Sequence, residues 1–438
     1  MDPLFLGAFV AMATIIVLFS GVSVALGLLI VSAGFLIVFD GMCSLKLMPE
    51  ILFGKLDNFA LLSIPMFIIM GSSIASTRAG ADLYEPLERW LTRVPGGLVI
   101  SNLGACALFA AMSGSSPATC AAIGKMGIPE MRKRGYPDGV AAGSIAAGGT
   151  LGILIPPSVT MIVYGIATET SIGRLFLAGV IPGLLLVGLF MAWSLYSTWK
   201  SGNVALLSAR DYSWKERFEI LPRVLPFLAI ILGVLYAMYG GIATPSETAA
   251  VGALMCLIIA MVIYKLWNPK DLWIVLRDST KESVMILFII AAAGVFSYML
   301  SSLYITQSIA EWIGTLNVNR WVLMGAVNVF LLIAGFFLPP VAVILMAAPI
   351  LLPIIITAGF DPIWFAVVLT INMEIGLISP PVGLNLYVIN GIAPEISLRT
   401  ILTGSLPFVA CMVLAIVLLC IFPGLATWLP DAIMGASF

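Results

Sequence analysis

Two ten-residue stretches of the chain share one pattern of glycine and proline inside apolar sequence. GTLGILIPPS runs from Gly149 to Ser158 and MEIGLISPPV from Met373 to Val382; we name them the first break and the second break. Proline has no amide donor and its ring clashes with the preceding turn, so we expect both stretches to be unwound. Unwound backbone exposes carbonyl oxygens, which suit cations, and amides, which suit carboxylates. The pattern therefore indicates binding of ions and organic acids.

Two other stretches concentrate serine, glycine and proline between apolar runs. SGSSPAT at Ser113–Thr119 is the first tip, and AGFFLPPVA at Ala334–Ala342 is the second tip. We expect each tip to turn a helical hairpin near the middle of a membrane and to face the break of its own half. Main-chain and hydroxyl oxygens of a tip and a break would then form a cage for a sodium-like ion. The alternative is that the serines only cap the hairpin helices.

The expected contacts form three sets. The first sodium site is predicted to contain Ser113, Ser115, Ser116, Thr119, Gly152, Ile155 and Ser158. The second is predicted to contain Gly335, Leu338, Gly376, Ser379 and Val382. Further candidates for contact with substrate or ion are Thr150, Pro339, Pro340, Asn372 and Glu374.

Two charged residues lie inside these apolar regions. The carboxylate of Glu374 is either an ion ligand or proton carrier, as intramembrane acids often are, or a structural partner of freed amides. Lys125, in the first hairpin, either neutralises a carboxylate substrate or extends its ammonium group to the membrane surface. The sequence leaves both pairs of roles open.

The breaks and tips recur because the chain contains a repeat. With an offset of 224 residues, Pro129 aligns with Pro353, and the Pro-Pro pair at Pro156 aligns with the pair at Pro380. We predict repeat 1 at 59–200 and repeat 2 at 283–424, each with a span, an interfacial arm, a hairpin, a broken helix and a final span. The hairpins are predicted at 96–134 and 321–357, and the broken helices at 137–168 and 362–392. Scaffold spans and their loops are predicted at 1–58 and 201–282, and a tail at 425–438.

The arms and charges predict how the chain crosses a membrane. The arms, Arg78–Val94 and Tyr304–Leu316, carry apolar residues on one helical stripe, as helices lying on a membrane surface do. Residues 41–58 are predicted as a loop. Ten crossings result, with both termini in the periplasm, and sixteen of the 21 lysines and arginines then lie in cytoplasmic segments. The halves are therefore predicted to be inverted, with hairpins that enter from opposite sides, as in secondary transporters.

Composition excludes several classes of protein. Of 438 residues, 61% are hydrophobic and 10% are charged, which predicts an all-α polytopic membrane protein. The net charge of −1 gives no basic surface for nucleic acid. Histidine is absent, which excludes histidine-dependent catalysis and metal sites, and the six scattered cysteines are predicted to be free thiols. We therefore expect no enzyme and no cofactor, and the two oxygen cages suggest two sodium-like coupling ions.

Four motifs together resemble the large membrane subunit of tripartite ATP-independent periplasmic (TRAP) transporters, of the DctM type. They are GSSPATCAAIG, GTLGILIPPS, GIATPSETAAVGA and ISPPVGLNLYV, and the resemblance spans essentially the whole chain. The resemblance implies a sodium-driven importer of organic acids in the bacterial inner membrane, working by an elevator mechanism. It also implies a small four-helix membrane subunit of the DctQ type, as a separate chain, and a periplasmic binding protein that delivers substrate. Ser246 stands where the family commonly has threonine.

Other functions are compatible with parts of this pattern. A stand-alone ion-coupled anion transporter or antiporter would use the same hairpins without a binding protein. A membrane enzyme lacks support because the spans contain no acidic pairs with metal-ligand spacing. A passive channel would leave the two hairpins unexplained. The residues do not distinguish a C4-dicarboxylate from a sialic or keto acid.

Overall fold

The computed structural model describes residues 2–91, 94, 96–200, 212–315 and 318–435, and within these ranges every regular element is a helix. Parts of the predicted arms, residues 92, 93 and 316, lie outside the described residues. The helices are α1 (Pro3–Phe19), α2 (Val24–Asp40), α3 (Leu47–Leu56), α4 (Ser63–Ala75), α5 (Ala79–Leu91), α6 (Gly97–Ser113), α7 (Ser116–Lys133), α8 (Asp138–Thr150), α9 (Val159–Thr168), α10 (Ile172–Lys200), α11 (Trp214–Ile220), α12 (Leu225–Tyr239), α13 (Pro245–Val262), α14 (Pro269–Ser302), α15 (Ile305–Thr315), α16 (Arg320–Phe337), α17 (Pro340–Thr357), α18 (Pro362–Leu377), α19 (Leu384–Ile392), α20 (Leu398–Ile421) and α21 (Gly424–Met434).

Six of the described helices are long and apolar enough to cross a membrane, and the number rises to eight if two bent pairs each count as one span. The six are α10, α13, α14, α16, α17 and α20. Two of them, α16 and α17, occupy the predicted second hairpin. Shorter apolar helices, including α1, α2 and α18, supply further candidate spans. The count of ten crossings remains a prediction, and the protein is an all-helical membrane protein.

The prediction of a loop at 41–58 is wrong. Met42–Lys46 form a 3-10 turn that leads into α3, and the segment Met42–Leu56 meets the next helical segment at 63°. Pro49 lies in the first turn of α3, where its missing amide donor costs nothing. The interruption comes instead at Asn58, whose side chain accepts a hydrogen bond from the Ala60 amide at 2.9 Å. A polar residue therefore ends one helix and starts the next.

The arms pack on protein along their apolar stripes. Leu83 of α5 is fully buried, and Leu87 lies against Gly104 of α6. In the second half, Ile305 of α15 is 1% exposed and lies against Gly7 of α1. The stripes predicted to lie on the membrane surface are therefore at least partly covered by neighbouring helices.

Helices of the two halves start at matching positions. α7 begins at Ser116 and α17 at Pro340, which is the 224-residue offset of the sequence repeat. The same offset relates Asp138, where α8 begins, to Pro362, where α18 begins. Since a shared offset at four helix starts requires matched turns as well as matched helices, the two hairpins and broken helices have one plan.

The backbones of α8 in the first half and α20 in the second pack closely together. Gly139 and Gly143 of α8 face Gly404 of α20. A Cβ atom added at Gly404 would lie 1.8 Å from the carbonyl oxygen of Gly139, so no side chain fits there. Small residues four positions apart allow helix backbones in membranes to approach this closely. The first broken helix is therefore held firmly by the last long helix.

The start of α18 is fixed by a side-chain cap. The carboxylate of Asp361 accepts hydrogen bonds from the amides of Ile363 at 2.6 Å and Trp364 at 3.1 Å. Pro362 occupies the first helical position, where its fixed φ angle suits the helix. These contacts satisfy amides that have no partner within the helix.

We expect Asp361→Ala to lower the free energy of unfolding by about 1 kcal/mol, because the cap is lost. The measurement is the thermal unfolding midpoint of purified protein in detergent. Asp361→Asn is the matched control, since asparagine also caps helices, and its midpoint should stay near that of the unchanged protein. Equal midpoints for the two variants would contradict the capping role.

Candidate ion and substrate site

The first tip lies directly on the first break. α6 ends at Ser113, Gly114 takes the left-handed conformation with φ 57°, and α7 begins at Ser116. A Cβ atom added at Gly152 would lie 2.7 Å from the carbonyl oxygen of Ser115. One added at Gly114 would lie 3.0 Å from the carbonyl oxygen of Pro157. The backbone contact between tip and break that the sequence predicts is therefore present.

Three oxygen atoms of the first tip form a compact group. The hydroxyls of Ser113 and Thr119 are 2.8 Å apart, and Thr119 also donates to the carbonyl oxygen of Ser115 at 2.9 Å. Ser113 is 3% exposed and Thr119 is fully buried. A buried cluster of hydroxyl and carbonyl oxygens is the type of ligand set that a dehydrated alkali cation requires.

Other members of the first predicted site have structural partners. The hydroxyl of Ser158 donates to the Ile153 carbonyl at 2.5 Å and accepts from the Met161 amide at 3.3 Å, so it caps α9. The hydroxyl of Thr150 donates to the Ala147 carbonyl in its own helix. The side chain of Ile155 turns toward Gly183 of α10. For Ser158 the capping alternative therefore describes the contacts.

The second tip and second break also meet. A Cβ atom added at Gly376 would lie 2.5 Å from the carbonyl oxygen of Gly335, in the last turn of α16. Ser379 is 7% exposed, whereas Val382 is 43% exposed. Pro339 is exposed, and Leu338 and Pro340 are half-buried. The second site is therefore more open than the first, where residues 156–158 are buried.

The breaks begin later than the sequence predicts. The first broken helix continues from α8 through a 3-10 turn to Ile153, and α18 remains helical to Leu377, so Gly376 is still in a helix. The prediction that the chain is unwound at Gly376 is therefore wrong. Proline disrupts only the bonds it would have made, and the residue before it avoids the helical conformation, so each helix can run to three residues before the Pro-Pro pair. The non-helical backbone lies at 154–158 and 378–383.

Both tips border one cavity of about 390 Å³, within the range of about 300–1,000 Å³ typical of small-molecule pockets. Ile153 and Leu377, where the two broken helices stop, also line it. Residues of α2, α4 and α14 complete the wall, among them Glu282. The two halves therefore contribute equivalent segments to a single cavity.

Five of the described helices begin at this cavity. Its wall includes the first residues of these helices, which are Val24 of α2, Ser116 of α7, Val159 of α9, Pro340 of α17 and Leu384 of α19. A helix amino end carries about half a positive charge and unpaired amides. The cavity is therefore suited to an anion, although the described residues that line it include no lysine or arginine.

Glu374 lies in the first site, although it is close in sequence to the second. It is fully buried, and the Ser116 hydroxyl donates to its two carboxylate oxygens at 2.9 and 3.1 Å. Asn372 instead donates its side-chain amide to the side-chain oxygen of Asn328 on α16. Lys125 is exposed and lies outside the cavity wall.

Sequence reasoning missed two polar residues near these groups. Asn328 is a single polar side chain in the apolar run of α16, which is a signal for a hydrogen-bonded partner in a membrane. Glu282 begins an apolar stretch of α14 and was treated as the boundary of a charged loop. Its place on the cavity wall depends on how α14 packs, which the sequence does not show.

The chain is similar to a family of transporter subunits along nearly its whole length. A family profile described as the DctM component of the tripartite ATP-independent periplasmic transporter matches residues 9–425. The C4-dicarboxylate TRAP transporter large permease protein DctM of Pseudomonas aeruginosa is 39% identical over 381 residues, which are 87% of this chain and 88% of that one. The protein of the same name from Vibrio cholerae is 36% identical over 436 residues, 95% of each chain.

A relative with another substrate and a solved structure extend the comparison. The sialic acid TRAP transporter large permease protein SiaM of Vibrio cholerae is 31% identical, covering 95% of this chain and 97% of that one. The structure of the YdaH transporter of Alcanivorax borkumensis has a TM-score of 0.66 at 15% identity, covering 96% of this chain and 98% of that one, and indicates a shared fold alone. The protein is a multi-pass transport subunit and not an enzyme. The chain therefore belongs to the DctM family, the large membrane permease subunits of tripartite ATP-independent periplasmic transporters.

Proposed function

We propose that this chain is the translocating subunit of a sodium-coupled importer of organic acids in the bacterial inner membrane, with both termini in the periplasm. The observation that carries the proposal is the cavity at which two tips and five helix amino ends meet. Each tip touches the break of its own half, so an ion held between them would be next to the substrate. The hairpins, in this proposal, are re-entrant and enter from opposite sides.

Charge balance supports sodium as the coupling ion. The described residues of the cavity wall supply no lysine or arginine, and Glu282 adds negative charge. Five helix ends at about half a positive charge each supply about 2.5 charges, which falls short of the three negative charges of a dicarboxylate and Glu282 together. Sodium ions held by the oxygens of Ser113, Ser115 and Thr119, and by the matching second site, would supply the remaining positive charge.

The comparisons support a C4-dicarboxylate as the first substrate to test. Three relatives named for C4-dicarboxylate transport are 36–39% identical to this chain. Relatives named for isethionate, sialic acid, ectoine or 2,3-diketo-L-gulonate are 29–33% identical. The two carboxylates of such a substrate would be matched by helix amino ends from both halves, which line the same cavity.

Transport is proposed to follow an elevator mechanism. Hairpins and broken helices would move together as a transport domain, against a scaffold of the remaining spans and arms. The contact between Gly143 of α8 and Gly404 of α20 leaves no room for sliding, so α20 would move with the transport domain.

Two partners are proposed: a small four-helix membrane subunit of the DctQ type and a periplasmic binding protein. A relative from Oleidesulfovibrio alaskensis is named as a DctMQ permease, and this chain covers 62% of it.

The test is uptake of radiolabelled succinate into proteoliposomes that contain this chain and its small subunit, with the binding protein outside. We expect uptake only when all three proteins are present and an inward sodium gradient is applied. An inward potassium gradient of equal size is the matched control. Equal uptake in the two gradients would contradict sodium coupling, and uptake by this chain alone would instead support a stand-alone transporter.

A further inference from the structure

Glu374 connects parts of the molecule that lie far apart in the sequence. It belongs to α18, in the second half, two residues before Gly376, which touches Gly335 of the second tip. Its carboxylate is fully buried. A buried carboxylate is costly unless hydrogen bonds compensate for the lost water, so its partners matter.

Those partners come from the first half. The hydroxyl of Ser116, at the start of α7, donates to both carboxylate oxygens at 2.9 and 3.1 Å. The backbone of Ser116 also lies against the first break, since a Cβ atom added at Gly152 would lie 2.9 Å from the Ser116 nitrogen. One side chain of α18 therefore holds the first tip at its contact with the first break.

A neighbouring polar residue on α18 shows that this arrangement is not a requirement of the helix. Thr370, one turn before Glu374, is also buried, and its hydroxyl donates to the Ala366 carbonyl of its own helix at 2.8 Å. The side chain of Glu374 instead accepts its hydrogen bonds from Ser116 in the other half. Its hydrogen bonds therefore fix how the two halves fit together.

We propose that Glu374 is a positioning residue that couples the two sodium sites, so that filling either site raises the affinity of the other. The inference rests on the proposed function, since it requires two sodium ions. An ion at the second site fixes the end of α18 at Gly376 and Gly335. Glu374 moves with that end and fixes Ser116, which belongs to the first site. Coupling of this kind passes through rigid elements and is equal in both directions.

The test is a sodium titration of succinate uptake by the unchanged protein, Glu374→Ala, Glu374→Gln and the matched control Thr370→Val. We expect a Hill coefficient above 1 for the unchanged protein and for Thr370→Val. Glu374→Ala should show a Hill coefficient near 1 and a half-saturating sodium concentration raised about fivefold or more. Glu374→Gln keeps one carbonyl oxygen that can accept from Ser116. Its Hill coefficient and half-saturating sodium concentration should therefore lie between those of the unchanged protein and those of Glu374→Ala.

A second measurement does not depend on transport. In detergent, the sodium-dependent shift of the thermal unfolding midpoint is measured for Ser116→Ala, Glu374→Ala and the double variant. Because the two residues act through one contact, their effects should be non-additive. Glu374→Gln replaces Glu374→Ala in this cycle if the alanine variant does not fold.

Three results would overturn the inference. They are a Hill coefficient unchanged in both Glu374 variants, additive effects of Ser116→Ala and Glu374→Ala on the sodium-dependent midpoint shift, or a Hill coefficient lowered as much by Thr370→Val as by Glu374→Ala. Each of these can be found while uptake by the unchanged protein still depends on sodium, in which case the proposed function stands. Uptake by the unchanged protein that ignores sodium would instead remove the sodium coupling itself.

Discussion

Replacement of Gly404 by alanine is expected to prevent the protein from folding to its normal yield. The added Cβ atom would lie 1.8 Å from the carbonyl oxygen of Gly139, and the Cβ of an alanine at Gly143 would meet the Gly404 carbonyl carbon at 2.2 Å. Overpacking usually costs about 1–3 kcal/mol because side chains can rotate away. Here both sides of the clash are helix backbone, so α8 and α20 must separate and the cost should exceed that range.

The measurement is the yield of monodisperse protein after extraction, followed by its thermal unfolding midpoint. Gly188→Ala is the matched control, since Gly188 also lies within a long helix but an added Cβ would have no neighbour within 4 Å. Alanine favours helix over glycine by up to about 1 kcal/mol, so this control should be neutral or slightly stabilising. A normal yield and midpoint for Gly404→Ala would show that α8 and α20 do not pack as described.

Gly376→Ala is expected to abolish most sodium-dependent uptake while the protein still folds. Its Cβ atom would lie 2.5 Å from the Gly335 carbonyl oxygen, so the second tip must shift away from α18. The second tip can yield because Pro339 beside it is exposed, unlike the enclosed contact at Gly404. A displacement of about 1 Å near bound ligands can reduce a rate about 100-fold, and we expect a loss of about 10- to 100-fold.

Uptake of labelled succinate in a sodium gradient is compared with the elution profile of the same purified sample. Gly325→Ala in α16 provides the control, because an added Cβ there would meet nothing within 4 Å. Uptake by Gly376→Ala equal to that of Gly325→Ala would remove the contact between second tip and second break from the transport mechanism.

Features that depend on proline and glycine could be predicted from the sequence. The Pro-Pro pairs at Pro156 and Pro380 end their helices for a local reason, the missing amide donor, which tertiary packing does not change. The tips could also be placed from local chemistry, since Gly114 permits the left-handed conformation found there and Pro340 favours the first position of a helix. The offset of 224 residues then predicted that equivalent elements would occur twice.

Features that depend on how the halves interlock could not be predicted. Glu374 is separated from Ser116 by 258 residues, and its sequence neighbours suggested the second site. Which site it enters depends on the orientation of α18 against α7, which no local pattern specifies. Gly376 is helical because a helix can continue until a proline interrupts it. The contact of Asn372 with Asn328 could not be predicted, because the sequence does not show which face of α16 meets α18.

The absence of lysine and arginine from the described cavity wall has a consequence for leakage. If sodium supplies the part of the positive charge that the helix amino ends do not, then a carrier without sodium attracts a dicarboxylate less strongly than a loaded one. In the cytoplasm, where sodium is scarce, an accumulated acid would meet a cavity without bound sodium, and the negative charge of Glu282 would oppose its binding there. Export of the acid would therefore be slow, and no additional gating element would be required to prevent it.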